Sequence, residues 1–239
     1  MRLKERIIIA LDVGTRDEAL RLVEQLDEAR VFKVGLELFT AEGPTLLEDL
    51  TKRNKTPFLD LKCHDIPNTV AGAVRSAVRH GAAMLTLHAS GGVEMMRRAA
   101  EAAGEVAARQ DRPKPLLFGV TVLTSLKDSD LEEVGFSSPT GSQVLRLAHL
   151  ARRAGLDGVV SSPQEIELIR KEMGSDLLVV TPGVRPAWAA AHDQKRVMTP
   201  AEAIRLGADY LVIGRPVTAA PSPGEALQKI LDEVARAQA

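Results

Sequence analysis

Cysteine occurs once in these 239 residues, aromatic residues make up only 3%, and the charges nearly cancel. The lone Cys63 closes no internal disulfide, which excludes a stapled secreted miniprotein and fits a reducing compartment. With 31 Lys and Arg against 32 Asp and Glu, the formal charge of −1 gives no field for gripping nucleic acid, so any anion must be held locally. No apolar run approaches a membrane span. The first, Ile7 to Leu11, stops at Asp12 and is too short for a secretory h-region, so the chain reads as cytoplasmic. No linker, low-complexity stretch or charge block interrupts the sequence, and residues 1–239 read as a single domain. His64, His80, His149 and His192 lack the spacing of a metal cluster, so no metal site is expected from them.

What is present is a 45% hydrophobic, 26% charged chain, long enough to bury roughly 70 to 75% of the surface its unfolded form exposes. Short apolar runs recur along it: Ile7 to Leu11, Val31 to Leu36, Phe58 to Leu61, Met84 to Leu87, Leu116 to Val122, Gly158 to Val160, Leu177 to Val180 and Tyr210 to Ile213. Between them lie segments with apolar residues three and four apart, such as Ile166, Ile169 and Met173, the spacing of one helix face. Thr15 with Glu18, Ser162 with Glu165, Thr199 with Glu202 and Ser222 with Glu225 have capping-box spacing, and Pro163, Pro200 and Pro223 follow three of these caps. Gly81, Gly155 and Gly207 each precede a strand-like run, as left-handed helix stops do. Eight strand–helix units in this length predict an α/β fold, the (β/α)₈ TIM barrel. A doubly wound sheet is the alternative, but no G-x-G-x-x-G follows the first run to support it.

In such a barrel alternate strand residues point inward and active sites gather at the C-terminal strand ends. Asp12 is in register with Ile8 and Ala10, Lys33 lies inside the second run, and Asp60 and Lys62 share one face. His88 ends the fourth run, Thr124 follows the fifth and Arg215 follows the eighth. Any one of these is explained as readily by an ion pair plugging the barrel mouth. As a set they demand mutual pairing at a high desolvation penalty with no return in stability, which points to a functional site.

Pro182-Gly183-Val184-Arg185 and Gly214-Arg215 occupy the two loops that frequently cradle phosphate in this fold, and together they favour a phosphorylated substrate. The stretch Arg185 to Arg196, with Trp188, His192 and Gln194, reads either as a mobile lid or as a surface helix nucleated by Ala189 to Ala191.

The segment Asp60-Leu-Lys-Cys-His-Asp-Ile-Pro-Asn-Thr69 resembles the signature of the orotidine 5'-monophosphate decarboxylase family. Matching segments follow in the family's order: Ala10-Leu-Asp12, Phe32-Lys-Val-Gly35, Val120-Thr-Val-Leu-Thr-Ser125, Thr181-Pro-Gly-Val-Arg185, Asp193-Gln-Lys-Arg196 and Gly214-Arg-Pro-Val-Thr218. The resemblance spans essentially the whole chain; Cys63 stands where the family more often has an aromatic residue. It implies a homodimeric barrel that converts orotidine 5'-monophosphate to UMP and CO₂, the last step of pyrimidine nucleotide synthesis, without metal or organic cofactor. Carried over by position, Lys33, Asp60 and Lys62 form a charged network completed by Asp65 of the partner subunit, with Lys62 as proton donor. Ile66 and Thr69 are likewise lent across the dimer, Asp12 and Lys33 hold ribose hydroxyls, Thr124 and Ser125 read the pyrimidine edge, and Arg185, Gln194, Gly214 and Arg215 hold phosphate.

Three rival readings remain. A related Mg²⁺-dependent decarboxylase of sugar-acid phosphates shares an Asp-x-Lys-x-x-Asp motif, but Lys33 would repel the cation it needs. A phosphosugar epimerase would need paired acids and metal-binding histidines. A non-catalytic binding barrel would have no need of a lysine between acids.

Overall fold

The structure, a computed structural model, describes residues 3–189 and 198–238. Eight strands alternate with helices: β1 (Ile7–Leu11), β2 (Val31–Gly35), β3 (Thr56–Cys63), β4 (Met84–His88), β5 (Leu116–Val120), β6 (Gly158–Val160), β7 (Leu178–Pro182) and β8 (Tyr210–Ile213). Each pairs in parallel with the next, and β8 returns to β1, closing a (β/α)₈ barrel. All eight apolar runs become strands, with edges displaced by a residue or two.

Strand alternation divides the apolar residues into two layers. Ile8, Val31, Phe58, Met84, Phe118, Val180 and Tyr210 form a cluster of their own, the barrel interior. The Phe118 ring meets Phe58 and Tyr210 edge-on at 6.0 and 6.1 Å between centroids, a geometry that sets the positive ring edge against a negative face. The other face of the strands, including Ile9, Phe32, Leu59, Leu117, Val159 and Leu211, packs against the helical shell. Each fully buried side chain of this size contributes about 1.5–3 kcal/mol by leaving water.

Thr15 and Thr199 close complete capping boxes with Glu18 and Glu202, and the last helix begins at Pro223 as its spacing predicts. Ser162 departs from expectation. Its hydroxyl accepts from the Gln164 amide at the head of a 3₁₀ turn (Pro163–Glu165), while the Glu165 carboxylate accepts from the Ser161 hydroxyl at 3.3 Å. Gly81, Gly155 and Gly207 all take positive φ, from +76° to +111°.

The N-terminal end of the barrel is tied by arginine. Arg170 donates to the carbonyls of Gly207 (2.8 Å) and Leu177 (2.7 Å) and pairs with Asp209, which accepts from the Val179 amide at 2.7 Å. These bonds satisfy strand starts and helix ends on the face where this fold keeps stability rather than chemistry.

Candidate active site

Asp12, Lys33 and Asp60 each lie two residues beyond an inward-facing residue of the barrel (Ala10, Val31 and Phe58), so the strand period lifts them into the layer above the apolar plug. Lys33 Nζ stands 2.9 Å from Asp12 Oδ1 and 3.7 Å from Asp60 Oδ2; Lys62 Nζ stands 2.9 Å from the same Asp60 oxygen. The result is a continuous chain, Asp12–Lys33–Asp60–Lys62, across three strands. Lys33 and Asp60 are largely enclosed, with side chains 11% and 13% exposed, whereas Asp12 at 61% opens to solvent. Gly35 keeps room for this chain, because a β-carbon there would stand 3.1 Å from Lys33 Nζ.

Lys62 does not follow regular strand geometry. Its φ is +51°, a left-handed conformation that costs a residue with a side chain about 1–2 kcal/mol. The β3–β4 register shifts here, since Leu59 pairs Leu85 but Cys63 pairs Leu87. Four steps along β3 therefore match two along β4, and the Lys62 amide donates to the Thr86 hydroxyl at 3.0 Å. Thr86 in turn donates to Asp60 Oδ1 at 2.9 Å. Sequence reasoning missed Thr86. The available signal was its place in inward register between Met84 and His88, as a hydroxyl among apolar strand residues.

Above β7, β8 and β1 lies a cavity of about 470 Å³ lined by Asp12, Lys33, Gly183, Arg185, Gly214 and Arg215, among others. Among the described residues three cations, Lys33, Arg185 and Arg215, face one acid, Asp12, across this space, a balance suited to an anionic ligand. Thr124 instead lines a second cavity of about 430 Å³ with Ser162, Gln164 and Glu165, and Ser125 lies exposed in the same loop. Burial pushes the Glu165 carboxyl above its ordinary range, with bonds from Ser162 and Ser161 opposing.

Asp65, Ile66 and Thr69 are exposed beyond the end of β3. The Asp65 carboxylate accepts from the adjacent Ile66 amide at 2.6 Å and joins no described residue of the charged chain. Gln194 and most of the proposed lid fall outside the described residues. Of that stretch, Ala187–Ala189 form a 3₁₀ turn with Trp188 half exposed.

His88 faces His64 with ring centroids 5.4 Å apart. Burial, then His64 and Lys62, push its imidazole below the ordinary value, favouring the neutral ring. Burial also raises the Cys63 thiol, which keeps it protonated and a poor nucleophile. Among the described residues no three His, Cys, Asp or Glu side chains converge to hold a metal ion, and no helix is long and apolar enough to cross a membrane.

A closed (β/α)₈ barrel with charged side chains gathered at the C-terminal ends of its strands has the plan of a barrel enzyme. Residues 5–230 match the sequence model of the orotidine 5'-phosphate decarboxylase / HUMPS family. A protein named orotidine 5'-phosphate decarboxylase from Actinobacillus succinogenes is 54% identical over 226 residues, 94% of this chain and 96% of its own. One of the same name from Moorella thermoacetica is 53% identical over 236 residues, 98% of this chain and 94% of its own. The crystal structure of orotidine 5'-phosphate decarboxylase from Lactobacillus acidophilus superposes with a TM-score of 0.86 at 35% identity, covering 96% of this chain and 99% of that one. This chain belongs to the orotidine 5'-phosphate decarboxylase / HUMPS family, and it is a carboxy-lyase.

Proposed function

We propose that the enzyme converts orotidine 5'-monophosphate to UMP and CO₂ with Lys62 as the proton donor and with no metal or organic cofactor. The observation that carries this reading is the Asp12–Lys33–Asp60–Lys62 chain at the strand ends, in a protein 54% identical to a named decarboxylase of that substrate.

The chemistry demands such a site. When the bond from C6 to the carboxylate breaks, CO₂ departs and the electron pair stays on C6 in the plane of the pyrimidine ring, where it cannot delocalise into the ring carbonyls. A cation next to C6 must stabilise it directly, and the Lys62 ammonium does so before passing its proton to C6 to give UMP. Solvent then returns a proton to the lysine. Asp60, which accepts from Lys62 at 2.9 Å, fixes the direction of that side chain.

Asp60 also faces the departing carboxylate. At ~4 Å and an effective dielectric near 20 the repulsion is roughly 4 kcal/mol, and it vanishes as CO₂ leaves. We weight it below stabilisation of the carbanion, because interactions strongest in the transition state are those that raise the rate.

The same reading assigns the surroundings. The cavity of Gly214, Arg215 and Arg185 takes the phosphate, whose binding energy positions the ring; the family resemblance assigns Gln194, outside the described residues, to the same phosphate. Asp12 and Lys33 hold the ribose hydroxyls, and Thr124 and Ser125 read the pyrimidine edge. A homodimer completes the site with Asp65, Ile66 and Thr69 of the partner subunit. Support for this comes from Ile66 and Leu36, 66% and 58% exposed at the ends of β3 and β2, large apolar surfaces that a second copy would cover. The enzyme works in the cytoplasm, supplying nucleotide synthesis.

The test is the ultraviolet absorbance change of orotidine 5'-monophosphate with purified protein in excess EDTA, with UMP and CO₂ identified as products. Turnover supports the cofactor-free reading. No turnover by a folded protein, with or without added Mg²⁺, overturns it in favour of a binding barrel, and turnover only with Mg²⁺ overturns its metal independence.

A further inference from the structure

We propose that Thr86 is a positioning residue for the decarboxylation, a single buried hydroxyl that sets both the backbone of Lys62 and the carboxylate plane of Asp60. The inference rests on the proposed role of Lys62, but its geometric part stands without it.

Between the Leu59–Leu85 and Cys63–Leu87 pairings, Asp60, Leu61 and Lys62 on β3 are matched on β4 by Thr86 alone. A bulge of this size interrupts the main-chain ladder and leaves an amide in need of an acceptor. The Lys62 amide finds it in the Thr86 hydroxyl at 3.0 Å, while its backbone holds the left-handed conformation. The same hydroxyl spends its proton on Asp60 Oδ1 at 2.9 Å.

That second bond divides the labour of the carboxylate. With Oδ1 held by Thr86, Oδ2 is the oxygen presented to both lysines, 2.9 Å from Lys62 and 3.7 Å from Lys33. Thr86 is 2% exposed and does not reach the open cavity, so it acts through its neighbours rather than on substrate. Its hydroxyl gives its one proton to Asp60 and accepts from the Lys62 amide, and these two bonds together set its orientation. Strained backbone persists where its surroundings over-determine it, and Thr86 supplies that determination here.

The test compares T86V, which keeps shape and loses the hydroxyl, with T86S, which keeps the hydroxyl and loses a methyl. We expect T86V to lower kcat by about 10- to 100-fold, the scale of a misplacement near 1 Å, with KM changed by less than about threefold, because the phosphate cavity is untouched. T86S should recover most of the loss. The crystal structure of T86V should show Lys62 out of the left-handed region or its Nζ parted from Asp60. If T86V does not fold, T86A carries the same comparison. The proposal is overturned if kcat is unchanged in the valine variant, if valine and serine lose equally, or if Lys62 and Asp60 keep their geometry without the hydroxyl. Should the wild-type enzyme leave orotidine 5'-monophosphate untouched, the functional reading falls and the crystal structure of T86V alone decides the role of Thr86.

Discussion

His88 ends β4 beside the charged chain, and its depressed basicity ties stability to pH with a definite sign. A histidine held neutral in the folded state gives a contribution present above its ordinary value of 6.5 and lost as pH falls, because the unfolded chain then binds the proton more readily. Thermal unfolding measured from pH 7.5 to 5 should therefore show a falling midpoint for the wild type and a shallower fall for His88→Asn. Parallel curves would refute the sign. At this scale the sequence was informative wherever a charge sat in inward register: Asp12, Lys33 and Asp60 are found as the period-2 rule places them. The same rule places Thr86 inward but does not give its two partners, because alternation presumes a regular ladder and the bulge that supplies them has no local signature.

Elements were legible through punctuation as much as through hydrophobicity. Thr15 and Thr199 head helices by closing capping boxes, whereas Ser162 accepts from the Gln164 amide at the head of a 3₁₀ turn and Glu165 bonds both Ser161 and Ser162 beside the second cavity. In the loop after β5 residue spacing says less. Thr124 lies in a cavity separate from the one holding Arg215, and loop conformation, unlike strand register, does not follow from residue spacing. Strand packing yields a prediction at Gly158 on β6. A β-carbon there would lie 2.8 Å from Leu178 Cβ and 2.8 Å from Phe118 Cδ1 and would strike the Leu178 carbonyl oxygen, so β6 and β7 would have to part. Gly158→Ala should cost about 1–3 kcal/mol, as overpacking a tight core does, read as a lower denaturant midpoint with an unchanged slope. A midpoint equal to that of the wild type would contradict the packing described.

For the whole molecule, a closed barrel could be inferred from eight repeating units, but a residue lent between subunits cannot be read from one chain. Asp65 accepts from its neighbour Ile66 and joins no described residue of the charged chain, and the proposed dimer assigns its target to the partner subunit. Complementation tests this. Lys62→Ala and Asp65→Ala, each inactive alone, should regain activity when co-expressed, since a mixed dimer pairs the intact Lys62 of one chain with the intact Asp65 of the other. Random pairing makes half the dimers mixed with one competent site of two, so about a quarter of wild-type activity is expected. No recovery, with mixed dimers confirmed by mass spectrometry, would place Asp65 outside a shared site.

The central claim is that Lys62 supplies the charge and the proton, and Lys62→Ala tests it directly. The account predicts that kcat falls by at least about 1,000-fold, within the range that a positioned acid provides, while UMP binding measured by calorimetry survives on the phosphate cavity. Turnover near the wild-type rate in a folded Lys62→Ala protein would contradict it.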